Sequence, residues 1–233
     1  MHNHSHIEDH KHEHHSHTVY GELMEHFPLA VFSVAFGLAL ISLIGAQSIG
    51  QEANLKLIKK SAHILFHSFH FMHIVFAATG TVITFMRFSN SVFRAIVVGL
   101  ICPTIFCMLS DAVLPYLAGC LLGVHMHFHL CFYSELANVL PFLFVGVITG
   151  LVMSANAKGT STYAATSHVA HIFVSSLAST FYLVAHGFSH WYDHIGLVFL
   201  SLIVAVVIPC TLSDLVVPMT FAKAGRGNEK HKA

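Results

Sequence analysis

Two aspartates stand within strongly apolar segments of this 233-residue chain, and both lie in the same local pattern. The pattern is Cys-x-Leu-Ser-Asp-x-Val-x-Pro, so Asp111 and Asp214 each follow a cysteine by four residues and precede a proline by four. The thiol and the carboxylate then share one face of a helix, and we expect the proline to free the aspartate carbonyl from its helical hydrogen bond. A carboxylate in an apolar helix is costly unless it has a partner. The pattern therefore predicts a polar site that includes Cys107, Ser110, Asp111, Cys210, Ser213 and Asp214.

Four histidines follow one another along an earlier apolar segment at helical spacing: His63, His67, His70 and His73. At about 100° per residue the first three fall within about 60° of one another, and His73 stands at the edge of this stripe. A neutral imidazole has one donor and one acceptor, so four of them do not readily satisfy each other. Imidazole is, however, a common ligand of zinc, nickel, cobalt and copper. The pair His67-x-x-His70 recurs as His168-x-x-His171, which predicts a second set of metal ligands.

Further polar residues border the apolar segments. Two groups of histidines are expected as ligands where an ion enters or leaves: His125, His127 and His129, and His186, His190 and His194. Eight of the 22 histidines lie in the first 17 residues, a segment expected to be disordered and to bind metal weakly. Glu22 and Glu135 begin two other segments, where a carboxylate favours the positive end of a helix. With Ser110 and Ser213, they are also candidates for polar groups along the path of a substrate.

The elements that must position these residues are transmembrane helices. The chain is 55% hydrophobic and 9% charged, with a mean hydropathy of +0.70, which is too little charge for the surface of a soluble domain. A zero formal charge argues against a nucleic-acid partner, and five cysteines, mostly in apolar segments, form no disulfide framework. A membrane helix needs about 20 apolar residues. Six segments reach this length, with polar connectors such as 50–61 between them: Phe27–Gln47, His63–Met86, Val92–Leu117, Leu136–Ala155, Ala164–Ala185 and Ile195–Met219.

The same features recur in the same order in both halves of the chain. Tyr20-Gly-Glu22-Leu matches Tyr133-Ser-Glu135-Leu, and the histidine pair and the Cys-to-Pro pattern follow in each half. Three helices cross a membrane once net, so the second unit must start on the opposite side. The sequence therefore predicts an all-α membrane protein with six transmembrane helices, arranged as two three-helix repeats of inverted topology. The expected divisions are a histidine-rich tail (1–19), the first repeat (20–118), a histidine-containing loop with the second repeat (119–221), and a basic tail (222–233).

Inverted repeats with a site at their interface are typical of secondary transporters. We therefore predict a transporter of a divalent transition metal, with Zn, Ni or Co favoured because imidazole and thiol donors suit them better than Mg or Ca. In the expected site, His67 and His70 join Asp111, while His168 and His171 join Asp214. Eight lysines and arginines against three favour a cell-membrane protein with both termini cytoplasmic.

Two alternatives remain at this point. One is an intramembrane metal-dependent enzyme of the zinc hydrolase or di-iron oxygenase type, and the other is a haem-binding protein that uses paired histidines. The lipid bilayer and a metal ion are the expected partners. The sequence leaves open whether the chain is a monomer or a homo-oligomer.

Overall fold

Six long helices make up almost all of the computed structural model, which describes residues 19–46, 52–129, 135–155, 160–188 and 191–230. All six are long and apolar enough to cross a membrane, which confirms the six expected helices. The expected N-terminal tail through residue 18, and His190, lie outside the described residues. In chain order the helices are α1 (Val19–Ala46), α2 (Glu52–Phe88), α3 (Val92–Leu121), α4 (Leu136–Ala155), α5 (Thr160–Ala185) and α6 (195–230).

Helix α2 is longer than the apolar segment that predicted it. It begins at Glu52, so the expected connector over residues 50–61 is wrong from that residue onward. The segment contains three lysines, two leucines, an alanine and a glutamate, which are good helix formers, and it continues the helix beyond the apolar residues. The loop that follows α3 lies beside the N-terminal half of α2, where His129 contacts the ring of His63.

Helices α3 and α6 each contain one wider turn at the Ser-Asp pattern. In α3 the segment Leu109–Val113 is π-helical, and in α6 the segment Leu212–Val216 is π-helical. The backbone N–H of Leu114 donates to the carbonyl of Leu109, five residues back, and Val217 donates to Leu212 in the same way. In this register the next donor is Pro115 or Pro218, and proline has no N–H. In this register the carbonyl of the serine therefore has no helical donor.

Helix α2 lies at the centre and contacts α3, α5 and α6, which carry the other residues of the predicted site, and also α4. It packs antiparallel to α5, since Phe69 stacks on Phe181 and His73 contacts His171. It packs parallel to α4, where Phe71 stacks on Phe142. Helix α1 in turn packs along α5. The first helix of each half therefore lies against the second helix of the other half.

Glycines let α4 approach α2 closely. Gly146 and Gly150 are four residues apart on α4 and face Val75, Thr79 and Val82 of α2. A methyl group on Gly146 would lie 2.6 Å from the carbonyl oxygen of Val75. Small residues at this spacing let membrane helices pack backbone to backbone, where van der Waals contact replaces the absent hydrophobic effect.

We expect Gly146→Ala to destabilise the protein, because the added methyl group forces the α2 and α4 backbones apart, at about 1–3 kcal/mol. Thermal unfolding of the protein in detergent measures the effect. Gly196→Ala is the matched control, since nothing lies within 4 Å of a methyl group at that position. Equal unfolding temperatures for the two variants would contradict the close packing of α4 on α2.

Candidate metal centre

The carboxylate of Asp111 organises the centre of the molecule. It is fully buried, and its Oδ2 accepts hydrogen bonds from Nδ1 of His70 at 2.9 Å and Nδ1 of His73 at 2.7 Å. Its Oδ1 accepts from the hydroxyl of Ser110 at 2.8 Å and from the hydroxyl of Ser175 on α5 at 3.0 Å. Four donors therefore stabilise the ionised form of this carboxylate, as a buried charge requires.

The second carboxylate, that of Asp214, lies on the other side of the same cluster. Its Oδ2 is 2.6 Å from Nδ1 of His171 and 3.7 Å from Nδ1 of His168. The contact with His171 is an ion-pair distance, although the ring N–H does not point directly at the oxygen. The carboxylate also lies against Gly80 of α2, where a methyl group would come within 3.2 Å of Oδ2. The absence of a side chain at Gly80 therefore makes room for Asp214.

Two histidines from the two halves of the chain connect these carboxylates. Nε2 of His73 lies 2.7 Å from Nε2 of His171, and both rings are buried. Three short contacts therefore link the side chains in a row: Asp111 with His73, His73 with His171, and His171 with Asp214. Each contact joins two atoms that can accept a hydrogen bond. Two neutral imidazoles bring only two N–H groups to these three contacts. A hydrogen in each of the three contacts would therefore require one more proton, and a metal ion between the two rings would satisfy the contact between them instead.

A thiol completes a set of three ligand atoms. The Sγ of Cys210 lies 3.8 Å from Nε2 of His73 and 3.6 Å from the hydroxyl of Ser175. The ligand atoms of His73, His171 and Cys210 all lie within 4.8 Å of one another. Tetrahedral zinc with bonds of about 2.0–2.1 Å to nitrogen and about 2.3 Å to sulfur separates two nitrogens by about 3.3 Å, and nitrogen from sulfur by about 3.6 Å. The His73–Cys210 distance is already close to this value, whereas the two rings would have to separate by about half an ångström.

The carbonyls freed by the two prolines are hydrogen-bonded by the opposite half of the chain. The hydroxyl of Ser179 on α5 donates to the carbonyl of Ser110 at 2.9 Å, and the hydroxyl of Thr81 on α2 donates to the carbonyl of Ser213 at 3.1 Å. A buried carbonyl without a donor costs about 1–3 kcal/mol. Each interrupted helix therefore depends on a hydroxyl from the second helix of the other half.

A second group of histidines lies nearer the N-terminal end of α2. The ligand atoms of His63, His67 and His129 all lie within 4.8 Å of one another. His186, just beyond α5, stacks on His129 with ring centroids 5.5 Å apart and donates from Nδ1 to the carbonyl of Tyr182. Burial lowers the pKa of His186 to about 4 and also lowers the pKa of His129. Both rings are therefore neutral at pH 7.

Phe66 lies between the two groups. It is fully buried, and its ring centroid is 4.9 Å from that of His67 and 5.5 Å from that of His70. On the far side of the centre, His168 contacts His26 of α1 with ring centroids 3.9 Å apart. Since α2 and α5 are antiparallel, His168 lies beyond His171 in the direction of the C-terminal end of α2. Histidines therefore occur on both sides of the central cluster.

The structure divides the predicted ligands among these groups. His70, His73, Asp111, His171, Asp214 and Cys210 meet at the centre, with His168 beside Asp214. His67, expected beside Asp111, donates instead from Nδ1 to the carbonyl of His63. Cys107 is buried next to His73 but does not belong to the set of three ligand atoms.

The remaining predicted residues lie around these groups. His125, His127 and His194 are exposed and outside both sets of ligand atoms. Ser110 and Ser213 supply the carbonyls described above. Glu135 interacts electrostatically with His63 and His129 of the second histidine group. The side chain of Glu22 lies outside the described part of the chain.

Several residues of the centre were not expected from the sequence. Ser175, Ser179 and Thr81 donate hydrogen bonds to the Ser-Asp turns, and Gly80 accommodates Asp214. One signal was available, since Ser175, Ser176, Ser179 and Thr180 form a run of hydroxyls at helical spacing in an otherwise apolar segment. His26 stands alone in its segment, and nothing in its spacing indicates His168 as its neighbour.

No protein-family model, no curated protein and no solved structure matches this chain. Its function must therefore be argued from the geometry of its own residues.

We expect Thr81→Val to destabilise the protein by about 1–3 kcal/mol, because it keeps the shape of the side chain and leaves the carbonyl of Ser213 without a donor. Denaturant unfolding in mixed micelles measures the free energy. Thr149→Val is the control, since the hydroxyl of Thr149 is exposed and bonds only within its own helix. The proposed role of Thr81 fails if the two variants lose the same free energy of unfolding.

Proposed function

We propose that this protein transports a divalent transition-metal ion across a membrane and binds it between His73, His171 and Cys210. The observation that carries the proposal is the short contact between the two Nε2 atoms, at 2.7 Å. Two neutral rings bring one N–H too few for the three contacts between the two carboxylates, and in the proposed mechanism a cation occupies the position between the rings. A proton and a metal ion are alternative occupants of the same position, and exchange of one for the other is the elementary step of transport.

The donor set selects the class of ion. Two imidazole nitrogens and a thiolate sulfur suit Zn²⁺, Co²⁺ and Ni²⁺, whereas Ca²⁺ and Mg²⁺ require oxygen ligands. Asp111 and Asp214 do not have to coordinate the ion. They accept from, or pair with, the outer nitrogens of the histidines, which orients a metal-binding ring and raises its basicity. Two carboxylates also balance the charge of a divalent ion in an interior of low dielectric constant.

The position of the cluster favours transport over storage of the ion. His70 and His73 lie at the middle of α2, and further imidazoles continue on both sides, with His67 and His63 in one direction and His168 in the other. Successive sites of similar chemistry let a charged ion leave water in steps, because each step exchanges one set of ligands for the next. An ion bound only for structural reasons would need its own ligands and no further imidazoles on either side of the central cluster.

The two halves of the chain supply the moving parts. Each half provides one carboxylate on its third helix and the histidine that pairs with it on its second helix: Asp111 with His70, and Asp214 with His171. In the proposed mechanism the halves are repeats of inverted topology, and one rocks against the other so that the central position faces each side in turn. The crossed packing of α1 on α5 and of α4 on α2 provides the surfaces along which they would slide.

Transport is tested with purified protein in proteoliposomes that contain a zinc-sensitive dye, with Zn²⁺ outside and a proton gradient across the membrane. We expect His171→Ala and Cys210→Ser to lower the rate of uptake by at least about tenfold, since even partners of metal ligands contribute that much. Cys102→Ser is the matched control, because Cys102 is a buried cysteine that belongs to neither set of ligand atoms. Uptake at the control rate in both site variants would sink the proposal, as would a haem absorption band in the purified protein.

Exchange of a metal for protons has a signature of its own. We expect binding of Zn²⁺ at pH 7 to release about one proton or more per ion, because the ion displaces the shared proton and the thiol proton. Isothermal titration calorimetry in two buffers of different ionisation enthalpy counts these protons. Cys210→Ser should lower the number and weaken binding, and binding should weaken further as the pH falls. Zinc binding without proton release would contradict a shared cation position.

A further inference from the structure

We propose a second metal site, formed by His63, His67 and His129, that loads or unloads the central position. The role in loading rests on the proposed function, whereas the metal site itself does not. Its ligands come from α2 and from the segment that follows α3. One nitrogen atom of each ring lies within 4.8 Å of the other two, so small movements of the side chains would bring all three onto one ion.

The chain holds these rings in position through groups other than their ligand atoms. His67 donates from Nδ1 to the carbonyl of His63 at 2.9 Å, so the lone pair of its neutral ring is on Nε2. The backbone N–H of His129 donates to the hydroxyl of Tyr182 at 3.1 Å, and the backbone N–H of His127 donates to the carbonyl of His186 at 2.8 Å. The loop is therefore anchored on the end of α5 through its backbone, and the ring of His129 is carried to the two histidines of α2.

The electrostatic surroundings of the three rings also fit a cation. His186 stacks on His129 and contacts the ring of His63 at 5.8 Å, so a fourth imidazole is at hand. Glu135, at the start of α4, interacts electrostatically with His63, His67 and His129. The negative charge of this carboxylate favours binding of a divalent cation by the three imidazoles.

The donor set distinguishes this site from the central one. It contains three imidazoles and no thiol, a set that leaves a fourth coordination position open to water, as in zinc sites that exchange their ligands. It is half-exposed, whereas the central ligands are buried. His67 and His70 lie one turn apart, about 4.5 Å along the axis of α2, with Phe66 in contact with both. An ion at the second site therefore has one turn of helix to pass before it reaches the ligands of the centre.

Cobalt is the probe that separates the two sites, and the full-length protein is used throughout. Co²⁺ bound to a thiolate gives an intense charge-transfer band, whereas Co²⁺ bound to imidazoles alone gives only weaker ligand-field bands. We expect two equivalents of Co²⁺ to bind beyond those held by the histidine-rich N-terminal segment, which is identical in all variants. His129→Ala and His63→Gln should each lower the affinity for one of these two ions by at least about tenfold and leave the charge-transfer band intact.

His127→Ala is the matched control, because its ring is exposed on the same loop and only its backbone is hydrogen-bonded. The second site is overturned if His129→Ala and His63→Gln bind as much cobalt, and as tightly, as His127→Ala does. Cys210→Ser should have the opposite effect to His129→Ala. It should remove the charge-transfer band and leave cobalt binding at the second site unchanged. A Cys210→Ser variant that lacks the band but transports zinc normally overturns the proposed function and leaves the second site standing.

Discussion

The structure depends on a shortage of hydrogens in a buried row of four side chains. The row runs from Asp111 through His73 and His171 to Asp214, and its three short contacts lie between nitrogen and oxygen atoms, while the two neutral rings bring only two N–H groups. In water the missing charge would be provided by solvent at little cost. In the interior of a helical bundle it must be provided by a specific cation. A row of this kind is therefore unfavourable unless a cation completes it.

The helices can be understood as the framework that brings these four side chains together. No single helix holds both a carboxylate and its histidine, so the row exists only when α2, α3, α5 and α6 are assembled. The close packing of α4 against α2 and of α1 along α5 fixes the two histidine-bearing helices from outside. The wider turns in α3 and α6 occur where the aspartates face inward, and an irregular backbone of this kind is tolerated in a membrane only where protein covers it.

Much of this arrangement follows from the sequence, and the errors have definite causes. The six helices follow from apolar length, and Asp111, Asp214, His70 and His171 were expected together because the pattern recurs. His73 was placed at the edge of the histidine stripe, yet it connects the two halves. A helical wheel gives angles on one helix and does not indicate which neighbour lies opposite each angle. The sequence therefore placed His67 in the central site and His73 at its edge, and only the positions of α5 and of the loop carrying His129 show the reverse.

The backbone hydrogen bonds at the two prolines could likewise not be predicted from the sequence alone. The proline rule assumes an α-helical register and so identifies only the carbonyl of the aspartate, whereas in the wider turn the carbonyl of the serine, five residues before the proline, has no helical donor. The hydroxyls that bind this carbonyl lie on another helix, so no local pattern around Pro115 or Pro218 reveals them. The run of hydroxyls on α5 indicates a polar face without naming its partner. The inverted topology of the two repeats stays a prediction.

The exchange of hydroxyls between the halves has a consequence for the way the protein is made. A nascent chain is completed from its N-terminus, and Ser110 precedes its donor Ser179 by 69 residues, while Thr81 precedes Ser213 by 132. Until α5 has been synthesised, the carbonyl of Ser110 lacks the hydroxyl that pairs with it in the finished protein. Helices α1 to α3 therefore cannot complete their mature packing before the helices of the second half are present.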